Sequence, residues 1–146
     1  MARWNMGPEA MRNPVLHSLR AACEINSITT TMHNRYPEIT TPIRLGVGIN
    51  AGTAAVGIGA ENTALGDTVN LAFRLESATK DLKTDIVLAD SVCELLPKSL
   101  WENNMHDISV KGKAKKIHVC ALSFEEIQRF CASHDATQQI SQSELE

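Results

Sequence analysis

Two side chains in this 146-residue sequence stand out as fit for chemistry, the amide of Asn70 and the guanidinium of Arg74, four residues apart. Drawn as a helix at about 100° per residue, Asp67, Asn70, Arg74 and Ser77 share one narrow polar notch. Val69 and Phe73 flank it on one side, and Leu71, Leu75 and Ala78 on the other. An ordinary solvated face is broad and charged, with one apolar stripe opposite. This pattern instead predicts a pair sunk between apolar walls. A recessed Arg needs a partner, so something anionic or polar is expected to meet the notch. The plain alternative is an Asn–Arg pair satisfied by a neighbouring carboxylate in the core.

Upstream, six of the eight glycines fall between Gly46 and Gly66. Ile43, Leu45, Val47 and Ile49 alternate as one face of a strand, with Gly46 and Gly48 on the other. A strand face without side chains admits a ligand or another backbone, and tight helix-on-sheet packing would need no ligand. The glycines do not spell a phosphate loop, since no Gly-Lys-Ser/Thr follows. They do not spell a dinucleotide fingerprint either, because Gly46, Gly48 and Gly52 have the wrong spacing and no helix comes next.

The run Gly48-Ile49-Asn50-Ala51-Gly52, then Gly66-Asp67-Thr68-Val69-Asn70-Leu71-Ala72-Phe73-Arg74-Leu75-Glu76, resembles the catalytic domain of class III adenylyl and guanylyl cyclases. Ser109-Val110-Lys111-Gly112-Lys113 resembles that family's late Val-Lys-Gly-Lys hairpin. The similarity covers roughly Met1 to Leu122. It implies an α/β (α+β), ferredoxin-like cyclase fold, a mixed or antiparallel sheet with helices packed on it. Residues 1–122 would form the cyclase domain, and 123–146 a terminal helix with a polar tail.

The resemblance also implies a reaction. Class III cyclases convert ATP or GTP into a 3′,5′-cyclic nucleotide and pyrophosphate, acting in intracellular signalling as homodimers or heterodimers. Two divalent metals, Mg²⁺ or Mn²⁺, are expected, held by close carboxylates. Each subunit supplies a different half of the site. By motif position, Asn70 would orient the ribose and Arg74 would stabilise charge developing on the α-phosphate. Lys111, helped by Lys113, would contact the β- and γ-phosphates, unless the lysines only keep the hairpin soluble and its edges unpaired. Thr63 takes the purine-reading position. Its hydroxyl can accept from adenine's amino group or donate to guanine's carbonyl, so ATP is favoured only weakly.

The other half, with the metal-binding aspartates and a purine-reading lysine, has no match. Met1-Ala2-Arg3-Trp4 resembles the end of the strand that carries the second aspartate, so the first strand and helix are expected to be missing. No residue of this chain is assigned to metal. The isolated chain is therefore expected to be inactive, and poorly soluble or oligomeric. A non-catalytic partner of an intact cyclase, or a degenerate interaction module, is the rival reading.

Composition fits a cytoplasmic domain of ordinary make-up. Hydrophobic residues make up 43% and charged residues 21%, and the net charge of −3 gives no reason to expect nucleic acid. Cys23, Cys93, Cys120 and Cys131 are scattered without metal spacing and are read as reduced, mostly buried thiols. No apolar run reaches the length of a membrane span.

The elements that must position the pair follow from periodicity. A strand remnant is expected at Met1–Met6. A helix capped by Asn13 should run to about His33, with Leu16, Leu19, Cys23, Ile25, Ile28 and Met32 on its buried face. Strands follow over 43–49 and 53–56, then the notch helix to about Lys80. A strand over 85–89 leads to a short helix capped by Asp90 or Ser91 and stopped by Pro97. A hairpin pairs 107–110 with 116–122, and a last helix is expected from Phe124 to about Ala132, before a polar, disordered tail.

Overall fold

A computed structural model of the chain describes residues 12–41, 43–57, 64–109 and 116–143. The expected strand at Met1–Met6 lies outside them. The chain divides into two compact units, one ending at Leu45 and resuming at Ser123, the other Gly46–Leu122.

The second unit carries the sheet. Its strands are β1 (Val47–Ile49), β2 (Ala55–Val56), β3 (Ala64–Leu65), β4 (Ile86–Ala89), β5 (Met105–Ile108) and β6 (Ile117–Leu122). Four of them form a mixed sheet in the order β1-β4-β6-β5, and β2 and β3 make a separate antiparallel pair. β1 runs parallel to β4 with Val47 opposite Ile86, while β4–β6 and β6–β5 are antiparallel. All four residues of β4 are buried, as expected of a β-branched-rich strand covered on both faces. Leu75 packs with Val87, Ala89 and Val119 in the core of this unit.

Helix α2 (Asp67–Leu82) lies on β1 and β4. It starts at Gly66, whose φ of 131° suits only glycine, and ends at Lys83, in the left-handed region with φ 53°. Two short helices follow, α3 (Asp90–Cys93) and α4 (Lys98–Trp101). Neither Asp90 nor Ser91 caps α3 as expected. Its cap position is Ala89, without a side-chain bond, because Ser91 Oγ donates instead to Asn50 Oδ1.

The first unit consists of α1 (Arg12–Arg35) packed against α5 (Phe124–Ser143). Asn13 stands inside α1 and not at its cap. Val15, Leu16, Leu19 and Ala22 are buried, but Ile25, Ile28 and Met32 are 50%, 60% and 48% exposed. The expected single buried face is therefore wrong. From Leu19 to Ile25 the helix turns about 600°, or 240° net, so two separate stripes had been merged. The last helix also outruns the expected end at Ala132, continuing to Ser143. Its start is a capping box that the sequence spells as Ser123-Phe124-Glu125-Glu126. Ser123 N–H donates to Glu126 Oε2 at 2.8 Å, and Glu126 N–H to Ser123 Oγ at 3.2 Å.

None of the four cysteines is in a disulfide, and Cys93 and Cys120 are buried. Burial, and then the neighbouring Cys131, push the Cys23 thiol up to about 11.

Candidate functional site

The site grows from one close contact. A Cβ on Gly48 would sit 2.3 Å from the Ala72 carbonyl oxygen and 2.3 Å from the Glu76 nitrogen. The bare face of β1 is thus filled by the α2 backbone, and the ligand-free alternative accounts for it. Gly46 and Gly52 meet the side chains of Thr79 and Thr68 in the same manner. Only three residues of the expected 43–49 strand are in the ladder, and Ile43 lies exposed outside it. The ladder is short because its partner β4 has only four residues.

With its inner face fixed on the sheet, α2 buries Leu75, Ala78 and Thr79. Asp67, Asn70, Phe73, Arg74 and Ser77 are turned outward and exposed. Among the described residues nothing forms the expected recess. Phe73, cast as a wall of the notch, is 57% exposed. A helical wheel gives angular order but not depth, and no described element covers the outer arc. Asn70 and Arg74 do share one outward face a turn apart. Among the described residues neither side chain has a hydrogen-bond or ion-pair partner, so no carboxylate of those residues satisfies the pair. Ser77 Oγ is occupied locally, by the Phe73 carbonyl at 3.1 Å. Leu65, just before Gly66, is 65% exposed, so apolar surface stands open at the start of α2.

The first turn of α2 is held by bonds that sequence reading missed. Thr68 Oγ1 donates to the Thr53 carbonyl at 2.6 Å, and Asn50 Nδ2 donates to the Thr68 carbonyl at 2.9 Å. These link positions 15 and 18 residues apart, beyond the reach of any periodicity argument.

Thr63, Lys111 and Lys113 lie outside the described residues. Their flanking strands are described. Thr63 directly precedes β3, and the segment with both lysines joins β5 to β6. β4 is parallel to β1, and β6 antiparallel to β4. β5 therefore ends and β6 begins at the sheet end where β1 and β4 finish. Thr68 reaches Asn50 at that same end, so the N-terminal half of α2 shares it. β1 and β6 are two strand spacings apart, about 10 Å. Across β5 and β6, the Asp107 carboxylate and His118 Nδ1 meet directly opposite one another.

A metal does not fit what is described. No group of three or more His, Cys, Asp or Glu that could hold an ion occurs among the described residues. Asp67 stands alone at the start of α2, where a carboxylate favours the helix dipole. No helix among the described residues is long and apolar enough to cross a membrane.

Comparison with known proteins agrees with the motifs. The chain is 35% identical over 124 residues to Adenylate cyclase 1 of Rhizobium meliloti (strain 1021), covering 81% of this chain and 18% of that protein. It is 36% identical over 85 residues to the terminal-differentiation specific adenylate cyclase of Dictyostelium discoideum, covering 53% of this chain and 4% of that protein. The chain thus spans less than a fifth of the length of either relative. The profile of the adenylate and guanylate cyclase catalytic domain matches residues 9–138. A mixed four-stranded sheet with helices packed on it is consistent with that domain's fold. This chain belongs to the adenylate and guanylate cyclase catalytic domain family.

Proposed function

We propose that this chain provides the Asn/Arg/Lys half of a nucleotide cyclase site, completed by a second subunit that brings the metal-holding carboxylates. The substrate proposed is ATP, and the products are 3′,5′-cyclic AMP and pyrophosphate, in signal transduction. The observation that carries this reading is the state of Arg74. It is outward, one turn from Asn70 and unpartnered among the described residues, on a helix whose backbone is seated against Gly48. An exposed ion pair is worth little to stability, so a guanidinium aimed outward next to the exposed Phe73 suits contact with a ligand at a subunit boundary.

In the proposed mechanism the ribose 3′-oxygen attacks the α-phosphorus and pyrophosphate leaves. Asn70 hydrogen-bonds and orients the ribose. Arg74 donates to the α-phosphate oxygens, whose charge builds in the transition state, where a fixed donor counts most. Lys111, with Lys113 beside it in sequence, meets the β- and γ-phosphates and balances charge on the leaving pyrophosphate. β5 ends and β6 begins at the sheet end that the first turns of α2 share, which supports that division of labour. Thr63 reads the purine edge from the segment entering β3. No step is assigned to a metal on this chain, since its described residues do not fit one.

The test is complementation. This chain is mixed with a cyclase domain that keeps its metal carboxylates but carries Ala at its own helix Asn and Arg. Cyclic AMP formation that appears with wild type and not with Arg74→Ala supports the reading. If neither restores activity and ATP analogues do not bind, a non-catalytic interaction module stands in its place.

A further inference from the structure

Asn50, the residue after β1, uses both ends of its side-chain amide. Nδ2 donates to the Thr68 carbonyl at 2.9 Å, and Oδ1 accepts from Ser91 Oγ at 3.1 Å. Thr68 is the second residue of α2, two before Asn70, and Ser91 is the second residue of α3. Since β1 and β4 are parallel neighbours, Asn50 and Ser91 leave their strands at the same end of the sheet. One amide therefore joins the end of β1 to the first turns of two helices.

We propose that Asn50 is a positioning residue, setting the depth and rotation of the first turn of α2 and so placing Asn70 and Arg74 for the nucleotide. This rests on the reading of the site given above. The mechanical argument is that of a lever. Close backbone contact at Gly48 supports α2 near Ala72 and Glu76. A helix held in one zone can still pivot there. Thr68 lies four residues from Ala72, about 6 Å along the axis, and it is gripped twice, by Asn50 and by Thr53. Releasing the Asn50 bond lets the first turn swing about Gly48 and displaces Asn70 and Arg74. A misplacement of about 1 Å in a catalytic group is costly.

The side-chain type fits this role closely. Asn offers a donor and an acceptor on one short planar group. Asp keeps the acceptor for Ser91 but loses the donor and sets a negative charge against the Thr68 carbonyl. Leu has similar volume and satisfies neither neighbour.

The experiment measures binding of α,β-methylene-ATP to the full chain by titration calorimetry, in a double-mutant cycle. Asn50→Ala and Asn50→Asp are each expected to weaken binding about tenfold, the scale of one lost hydrogen bond. In the Arg74→Ala background, Asn50→Ala is expected to add less than about twofold, because residues acting through one another are not additive. Amide hydrogen exchange at Asn70, Leu71 and Ala72 should speed up in Asn50→Ala, while β4 keeps its protection. Wild-type affinity in the Asn50 variants, or the same tenfold loss in both backgrounds, overturns the inference. Should Asn50→Ala not fold, Asn50→Asp, which keeps the Ser91 bond and loses the Thr68 bond, is read in the same way. If wild type does not bind, or Arg74→Ala binds as tightly, the complementation mixture decides on the functional reading. Hydrogen exchange, which needs no nucleotide, then decides on Asn50, and unchanged exchange in the first turn of α2 overturns it.

Discussion

The carbonyl oxygen of Ala72 occupies the space where a side chain on Gly48 would begin, 2.3 Å from an ideal Cβ. Backbone cannot yield as the end of a flexible side chain can. Gly48→Ala must therefore push α2 off β1, and it strains the packing of Leu75 on Val87 and Val119. The expected cost is at least about 3 kcal/mol, the upper range for an overpacked core. Urea unfolding of wild type and variant measures it, and a loss under about 1 kcal/mol would mean the helix gives way easily.

Arg74→Ala should separate stability from function. The side chain is exposed and makes no ion pair with the described residues, so unfolding should shift by no more than about 0.5 kcal/mol. In the complementation mixture the same change should lower cyclic AMP formation by about 10² to 10³, as removing a single transition-state donor does. Equal losses in both measurements would assign Arg74 to the fold instead.

The motif residues and the strands and helices around them were legible because they depend on local sequence, while the mixed sheet came through the family resemblance. Glycine spacing, the alternation around Val47 and Ile49, and the 3.6-residue period of α2 all act within a few residues. What failed depended on depth or on distant partners. The wheel put Phe73 beside Arg74 correctly but could not say that nothing described covers it. Ile25, Ile28 and Met32 looked buried because apolar residues were counted without separating two stripes. Ser91 looked like a cap, yet its hydroxyl goes to Asn50, 41 residues away. The Ser123–Glu126 capping box, by contrast, is spelled within four residues and so is readable locally.

Phe73 and Leu65 test the subunit boundary. Both are large, apolar and more than half exposed, Phe73 next to Arg74 in α2 and Leu65 just before the helix starts. If that face meets a second copy, Phe73→Glu places an unpaired charge in the contact. Sedimentation velocity should then show wild type associating in the micromolar range and the variant shifted to monomer by at least about tenfold in concentration, a loss of about 1.4 kcal/mol. Thermal unfolding of the dilute monomers should be the same for both, because Phe73 has little to lose in its own subunit. A wild type that stays monomeric removes the premise.

The end of α2 offers a gain of stability. Lys83 is held at φ 53° and ψ 42°, with its N–H donating to the Lys80 carbonyl at 3.4 Å and that of Thr84 to the Thr79 carbonyl at 3.0 Å. A left-handed backbone costs a residue with a Cβ about 1 kcal/mol, and glycine is free of that cost. Lys83→Gly should therefore raise the unfolding free energy by up to about 0.5 kcal/mol, net of glycine's larger unfolded-state entropy. A decrease would show that the Lys83 side chain contributes more than its backbone strain costs.

Cys23 ties stability to alkaline pH. Burial first, and then the neighbouring Cys131, raise its thiol from the ordinary 9.0 to about 11. Below pH 9 both folded and unfolded chains keep the proton, and the group does not disfavour the fold. Between about 9 and 11 the unfolded chain ionises while the folded chain resists, so stability falls as pH rises through that window. Urea midpoints at pH 8 and pH 10 should show this loss in wild type and a smaller one in Cys23→Ser, whose hydroxyl does not titrate there. The same burial should slow alkylation of Cys23 at pH 8 relative to a free thiol, since only the thiolate reacts. Identical pH slopes for the two proteins would place the alkaline loss elsewhere.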